Sequence, residues 1–235
     1  MKTRHATADT TRERIIAAAV DLLTEGGREA LSTRAVSAAA GVQAPTIYRL
    51  FGDKQGLLDA VASHGFAAYL QSKTDLKPGA DPVEELRQGW DLHVSFGLAN
   101  PALYSLMYGE PHPGASPPAA VAAAALLAEL VRRIAAAGRL RVSEDHAAQL
   151  LHSVAVGTTL SLIARPEPRR DPAVADLARD AVIAAVTTDA PIQATPGPAG
   201  AAIALRAALG QTAALTAPER ALLEQWLDRI AHQRP

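Results

Sequence analysis

Apolar positions along this chain recur at helical spacing, and glycine and proline mark where each run stops. Ile15, Ile16, Ala19, Leu22 and Leu23 repeat every three to four residues, the period of one helix face. Thr10-Thr11-Arg12-Glu13 precedes them in the form of a capping box, where a hydroxyl and a carboxylate satisfy two orphan amides at a helix start. Gly26-Gly27 ends this first helix, since glycine takes the left-handed conformation cheaply. Ser32 or Thr33 can cap a second, short helix over 34–40, stopped by Gly41. Three residues later Ala44-Pro45 fits the first turn of a third helix, which carries Thr46-Ile47-Tyr48-Arg49-Leu50-Phe51 and closes at Gly52. Asp53 caps a fourth helix starting at Lys54.

The same punctuation continues downstream. Lys77-Pro78-Gly79-Ala80 is a break, and Asp81-Pro82-Val83-Glu84 opens a helix that runs to about 99. Asn100-Pro101 caps a short helix through Met107 and Tyr108. The stretch 109–118 is too rich in proline and glycine for regular helix. A helix over about 119–137 ends at Gly138, Ser143 caps one to about 164, and Asp171-Pro172 opens one to about 187 after the break at Pro166-Glu167-Pro168. A second Pro/Gly/Ala loop over 191–200 leads to two final helices, near 201–209 and 217–230, with Thr216-Ala217-Pro218-Glu219 capping the last. No fixed-period internal repeat is visible.

Composition sharpens this picture. Apolar residues make up 49% of 235 and aromatics only 4%, with alanine and leucine dominant, so the pattern predicts an all-α protein of one or two compact domains. There is no cysteine, which excludes disulfides, thiolate catalysis and cysteine-ligated metal, and fits a reducing cytoplasm. Lys2-Thr3-Arg4-His5 lacks the apolar region of a signal peptide, and no uncharged apolar run is long enough to span a bilayer, so no membrane partner is expected. The net charge of −1 says little about nucleic acid, but its distribution says more. Residues 1–56 hold eight cations (Lys2, Arg4, Arg12, Arg14, Arg28, Arg34, Arg49, Lys54) against six acids (Asp9, Glu13, Asp21, Glu25, Glu29, Asp53), a mild excess that permits DNA binding.

Two short helices joined by the three-residue turn Gly41-Val42-Gln43 form a helix-turn-helix, whose first helix braces and whose second puts its N-terminal side chains into the major groove. Val36, Ala40, Val42, Ile47 and Phe51 then form the buried face, and Thr33, Arg34, Gln43, Ala44, Pro45, Thr46, Tyr48 and Arg49 lie toward DNA.

The chain resembles the tetracycline-repressor (TetR) family of bacterial regulators over about a fifth of its length. The matching stretch is Arg14-Ile15-Ile16, Ala18-Ala19, Leu22-Leu23, Glu25-Gly26-Gly27, Ser32-Thr33-Arg34-Ala35-Val36 and Ala40-Gly41-Val42. It continues with Thr46-Ile47-Tyr48, Phe51, Lys54 and Leu57-Leu58 in register. Leu50 departs from the pattern, standing where the family usually has a polar residue beside the DNA backbone. The resemblance implies that Tyr48 and Thr46 donate to phosphates and that Lys54 adds charge beside free helix amides. Arg34 has the paired donors to read guanine, Gln43 or Arg49 can reach other base edges, and Ala44 and Pro45 offer apolar contact such as to a thymine methyl.

The resemblance further implies a dimeric repressor with an N-terminal helix-turn-helix domain over 1–56 and a C-terminal helical ligand-binding and dimerisation domain over 57–235. Its partners are then double-stranded operator DNA, a mostly apolar small-molecule effector and a second copy of the chain. The best pocket candidates are Trp90, His93, Phe96, Tyr104, Met107, Tyr108 and His152, because pockets are lined by apolar and aromatic groups with a few polar ones. Ordinary core packing is the alternative for each. His93 and His152 lack a metal-binding spacing, and no metal or cofactor is expected. The dimer is expected on the helices over 143–164 and 171–187, where Leu150, Leu151, Val154, Gly157, Thr158 and Ser161 also fit an internal helix. An enzyme is disfavoured: there is no G-x-S-x-G elbow, phosphate-cradling glycine loop or H-E-x-x-H. A helical small-molecule-binding protein or enzyme without DNA contact leaves the Thr46, Tyr48, Lys54 register unexplained.

Overall fold

A computed structural model of the chain describes residues 2–75, 81–109, 117–188 and 198–232. The first helix, α1 (Lys2–Gly26), starts eight residues before Thr10, so Thr10-Thr11-Arg12-Glu13 lies inside it and caps nothing. Residues 2–25 contain no glycine or proline to stop a helix, and a capping-box pattern within such a stretch is read through. After a short 3-10 turn come α2 (Thr33–Ala40), α3 (Ala44–Phe51) and α4 (Lys54–Asp75). Next are α5 (Pro82–Ala99), α6 (Pro101–Tyr108), α7 (Pro118–Ala136), α8 (Glu144–Ile163) and α9 (Ala173–Val186). The described chain closes with α10 (Pro198–Ala208) and α11 (Ala217–Ala231). Pro198 opens α10 three residues before the expected start, because proline is pre-organised for a first helical turn. The expected break at 77–80 lies outside the described residues, as do most of the two Pro/Gly loops. No strand forms among the described residues, which pair as sheet only in one bridge, Leu140 to Thr187. No described helix is long and apolar enough to cross a membrane.

The contacts divide the chain into two compact units, one of residues 1–75 with 96–123 and one of 76–95 with 124–235, so α5 and α7 each contribute to both. In the first, α1 packs on α2 and α4 around Ile15, Leu23, Leu31, Val36, Ile47, Leu57 and Val61, all essentially sealed from solvent. In the second, α8 packs on α9. The core there includes Val131, Ile134, Leu140, Leu151, Ile183 and Val186. Arginines tie this unit together. Arg133 pairs with the buried Glu85, Arg87 with Asp180, and Arg179 with Asp91 at 2.6 Å. Arg139 and Arg141 donate to the carbonyls of Thr188 and Thr187 at 2.9 and 2.6 Å, fastening the end of α9. α10 and α11 form a hairpin over Ala202, Leu209 and Leu227. Its second helix has the expected capping box, with Thr216 and Glu219 bonded reciprocally.

Candidate nucleic-acid interface

The helix-turn-helix is held by local chemistry that leaves its outer donors unused. Ser32 Oγ accepts from the Ala35 amide at 3.1 Å and starts α2. Gly41, at φ 62°, turns the chain out of α2, and a side chain there would be strained in the left-handed region. Arg14 donates from α1 to the Ala40 carbonyl at 3.1 Å, so this cation caps α2. The Arg12 guanidinium stacks over the Phe51 ring, 5.2 Å from its centroid. Asp53 Oδ1 accepts from the Gly56 amide at 2.7 Å and starts α4. A Cβ at Gly56 would lie 2.1 Å from the Phe51 carbonyl oxygen, so the junction of α3 and α4 requires glycine there. Sequence reasoning passed over Gly56; a glycine in the first turn of an otherwise regular helix was the available signal.

Val36, Ala40 and Ile47 are buried, while Val42 and Phe51 are only half-buried. Arg34, Gln43, Pro45, Tyr48, Arg49 and Lys54 are exposed, and Thr33, Ala44 and Thr46 half-exposed. Tyr48 leaves 50% of its surface open, which removes it from the core. Among the described residues no side-chain hydrogen bond or ion pair engages Arg34, Gln43, Tyr48, Arg49 or Lys54. No acidic residue occurs between Glu29 and Asp53, so α2, the turn and α3 are cationic even though the whole chain is not. Leu50 is half-buried.

The candidate pocket residues separate into two groups. In the first unit, Phe96 meets Phe66 and Tyr69 of α4, with ring centroids 5.0 and 4.7 Å away, and Tyr104 meets Tyr108 at 4.8 Å. Phe66 and Tyr69 are themselves 4.4 Å apart. Tyr104 and Met107 are buried. Burial raises the Tyr108 phenol to about 12. It raises Tyr69 further, with help from Tyr108 and Tyr104, so both stay neutral donors at physiological pH. Phe66 and Tyr69 were missed from the sequence; their i, i+3 spacing on α4 was the available signal. In the second unit Trp90 and His93 are buried one turn apart on α5, and the Trp90 indole N–H has no partner among the described residues. His152 is exposed on α8. An open groove of about 530 Å³ between α1 and α4 (Arg12, Ile16, Asp59, His64) and a polar pocket of about 220 Å³ beside Asp81, Arg87 and Arg139 contain none of these aromatic residues.

On α8 and α9 the apolar residues divide between two faces. Leu151, Ala155 and Thr159 are buried, as are Val182 and Ile183. Leu150, Val174 and Leu177 remain exposed, Leu177 by 70%, and Gly157 and Ser161 are exposed beside them on α8.

Residues 15–61 match the family model described as bacterial regulatory proteins, tetR family. The class A tetracycline repressor of transposon 1721 from Escherichia coli is 42% identical over 67 residues, 28% of this chain and 30% of that protein. The match to this curated relative thus spans less than a third of its length. Two solved structures share the fold over more of the chain. A putative TetR-family transcription regulator from Shewanella sp. PV-4 is 18% identical with a TM-score of 0.61, covering 76% of this chain and 98% of its own. A tetracycline-repressor variant from Acinetobacter baumannii AYE, solved with minocycline, is 22% identical with a TM-score of 0.57, covering 73% and 93%. With its helix-turn-helix in the same register, the segment 15–61 belongs to the DNA-binding domain of the tetR family of bacterial regulatory proteins, and the described helices share the fold of these structures.

Proposed function

We propose that this chain is a dimeric transcriptional repressor that grips operator DNA through α3 and releases it when a small molecule fills the aromatic cluster behind α4. The observation that carries the reading is the set of exposed, unspent donors on one helix-turn-helix: Arg34, Gln43, Tyr48, Arg49 and Lys54. Donors left unpaired at a rigid helix start serve phosphate and base edges well. In this reading Lys54, Tyr48 and Thr46 hold the backbone, Arg34, Gln43 and Arg49 read bases, and Thr33, Ala44 and Pro45 fit the groove wall. The DNA-reading domain then comprises residues 1–56, and the remainder senses and dimerises. Leu150, Val174 and Leu177, exposed and apolar on α8 and α9, suit a two-fold helix bundle with a second copy.

The effector is taken to be largely apolar with a few polar atoms, in keeping with the aromatic rings of Phe66, Tyr69, Phe96, Tyr104 and Tyr108 and the neutral phenols of Tyr69 and Tyr108. The test is a gel shift of DNA lying beside this protein's own gene, repeated with the variant Arg34→Ala/Arg49→Ala. Wild-type retardation that survives excess non-specific DNA, and is lost in the variant, supports the reading. Equal retardation of both proteins would reject α2–α3 as the reader.

A further inference from the structure

The α10–α11 hairpin has a second face that the fold leaves uncovered. α11 turns Leu227 toward α10, with Leu223 and Ala231 packed against the same small core. On its other side Leu222, Trp226 and Ile230 follow at four-residue spacing and leave 45%, 47% and 37% of their surfaces open. At the angular step of an α-helix these three, with Pro218, Glu219 and Arg229, occupy an arc of about 120°. A half-exposed tryptophan flanked by leucine and isoleucine, with charges only at the ends, has the composition of an interface core with a polar rim.

We propose that this face of α11 packs antiparallel on the same face of a second copy of the chain. The face is its own complement. In an antiparallel pair whose two-fold axis passes at the level of Glu224, each residue meets the one equally far on the other side of Glu224. Leu222 then faces the second copy's Trp226, and Glu219 reaches Arg229 across the seam, each pairing occurring twice. Glu224 lies on the opposite side of the helix, so no like charges meet at the axis. Parallel packing would instead align the helix dipoles and set Glu219 on Glu219 and Arg229 on Arg229. The charged groups are available for the antiparallel contact. Glu219 uses Oε2 for the Thr216 amide and hydroxyl, at 2.8 and 2.7 Å, which leaves Oε1 open. Those same bonds hold its carboxyl below the usual carboxylate range, so it is charged at neutral pH. Arg229 has no hydrogen-bond or ion-pair partner among the described residues.

A seam of four helical turns sits at the low end of specific interfaces, so it adds to an assembly held by other contacts more readily than it forms alone. Sedimentation equilibrium of the full chain, over a dilution series that reaches dissociation of the wild-type assembly, tests it, with Glu219→Arg, Arg229→Glu, the double exchange and Trp226→Ala. Each single exchange sets like charges opposite one another twice and is expected to weaken association about tenfold. The double exchange restores the pairs in reversed polarity and is expected to return association to near the wild-type value. Trp226→Ala is expected to weaken it about thirtyfold or more. Glu219→Arg also removes the capping box, but reversing Arg229 cannot repair a cap, so recovery in the double variant reports the contact itself. A double variant no better than the single ones would overturn this register. Dissociation constants unchanged in all four would overturn the proposal.

Discussion

Lys54 and Gly56 stand two positions apart at the head of α4, one needing an open surface and the other a closed one. Lys54 is exposed and unpaired among the described residues, so its charge acts outward. Lys54→Ala is expected to weaken binding to every DNA sequence alike and to reduce the salt slope by about one unit. Tyr48→Phe is expected to lose about 1–3 kcal/mol, one hydrogen bond to a charged phosphate, with base preference intact. Anisotropy titrations across a salt series check both, and a Lys54→Ala protein with altered base preference and an unchanged slope would contradict the phosphate role. Gly56→Ala acts through geometry instead. Its methyl would meet the Phe51 carbonyl oxygen at 2.1 Å, and backbone cannot yield as a side chain can. The expected cost is about 1–3 kcal/mol of stability, read by urea unfolding, together with weaker DNA binding as α3 is displaced. The outward residues were legible in the sequence because glycine turns and a proline-led helix fix which side of α3 faces solvent. Gly56 was not, because its constraint comes from a carbonyl five residues earlier that only the folded junction brings close.

At the scale of the element, caps decided most of what the sequence revealed. The starts of α5, α8 and α11 lie where Asp81, Ser143 and Thr216 predicted them, each side chain accepting an orphan amide. The start of α1 was misread because the same residue pattern inside a good helix former carries no stop. The aromatic cluster was half legible: Phe96, Tyr104 and Tyr108 were singled out, while Phe66 and Tyr69 join them through packing between helices, which periodicity within one helix does not encode. Asp81 gives the elements a pH dependence. It caps α5 through the Val83 amide at 2.9 Å and accepts from Arg139, the larger cause holding its carboxyl below the usual range. A depressed carboxylate contributes stability that is present above its unfolded value of about 4 and disappears as pH falls through the folded value. Asp81→Asn is expected to cost about 1 kcal/mol or less at pH 7, since the pair is solvent-exposed. It should also flatten the stability decline between pH 5 and pH 2. Urea midpoints of both proteins across that range check the sign, and parallel declines would remove Asp81 from the account.

At the scale of the whole molecule, the proposed repressor would link DNA to effector through two-fold symmetry and through α4. A two-fold dimer requires a near-palindromic operator, with half-sites about 34–36 Å apart or a multiple of that. Footprinting is expected to show two protected half-sites, and one short asymmetric site bound by a monomer would refute the dimeric reading. In this reading the half-site spacing depends on α4, which carries Lys54 at one end and Phe66 and Tyr69 twelve and fifteen residues later, about 18 and 22 Å along the axis. In the proposed mechanism a ligand pressed between Phe66, Tyr69 and Phe96 would tilt α4 and carry α3 with it through the close approach of Gly56 to the Phe51 carbonyl. Coupling of this kind is typically about 1–3 kcal/mol, a 5–150-fold change in affinity. Linkage then requires operator DNA to weaken ligand binding by the same factor. Compounds that raise the melting temperature supply the ligand. Its titration with and without operator DNA is expected to give dissociation constants differing by that factor, and Phe66→Ala to shrink the difference. Equal constants would mean that the compound occupies the protein without acting as an inducer.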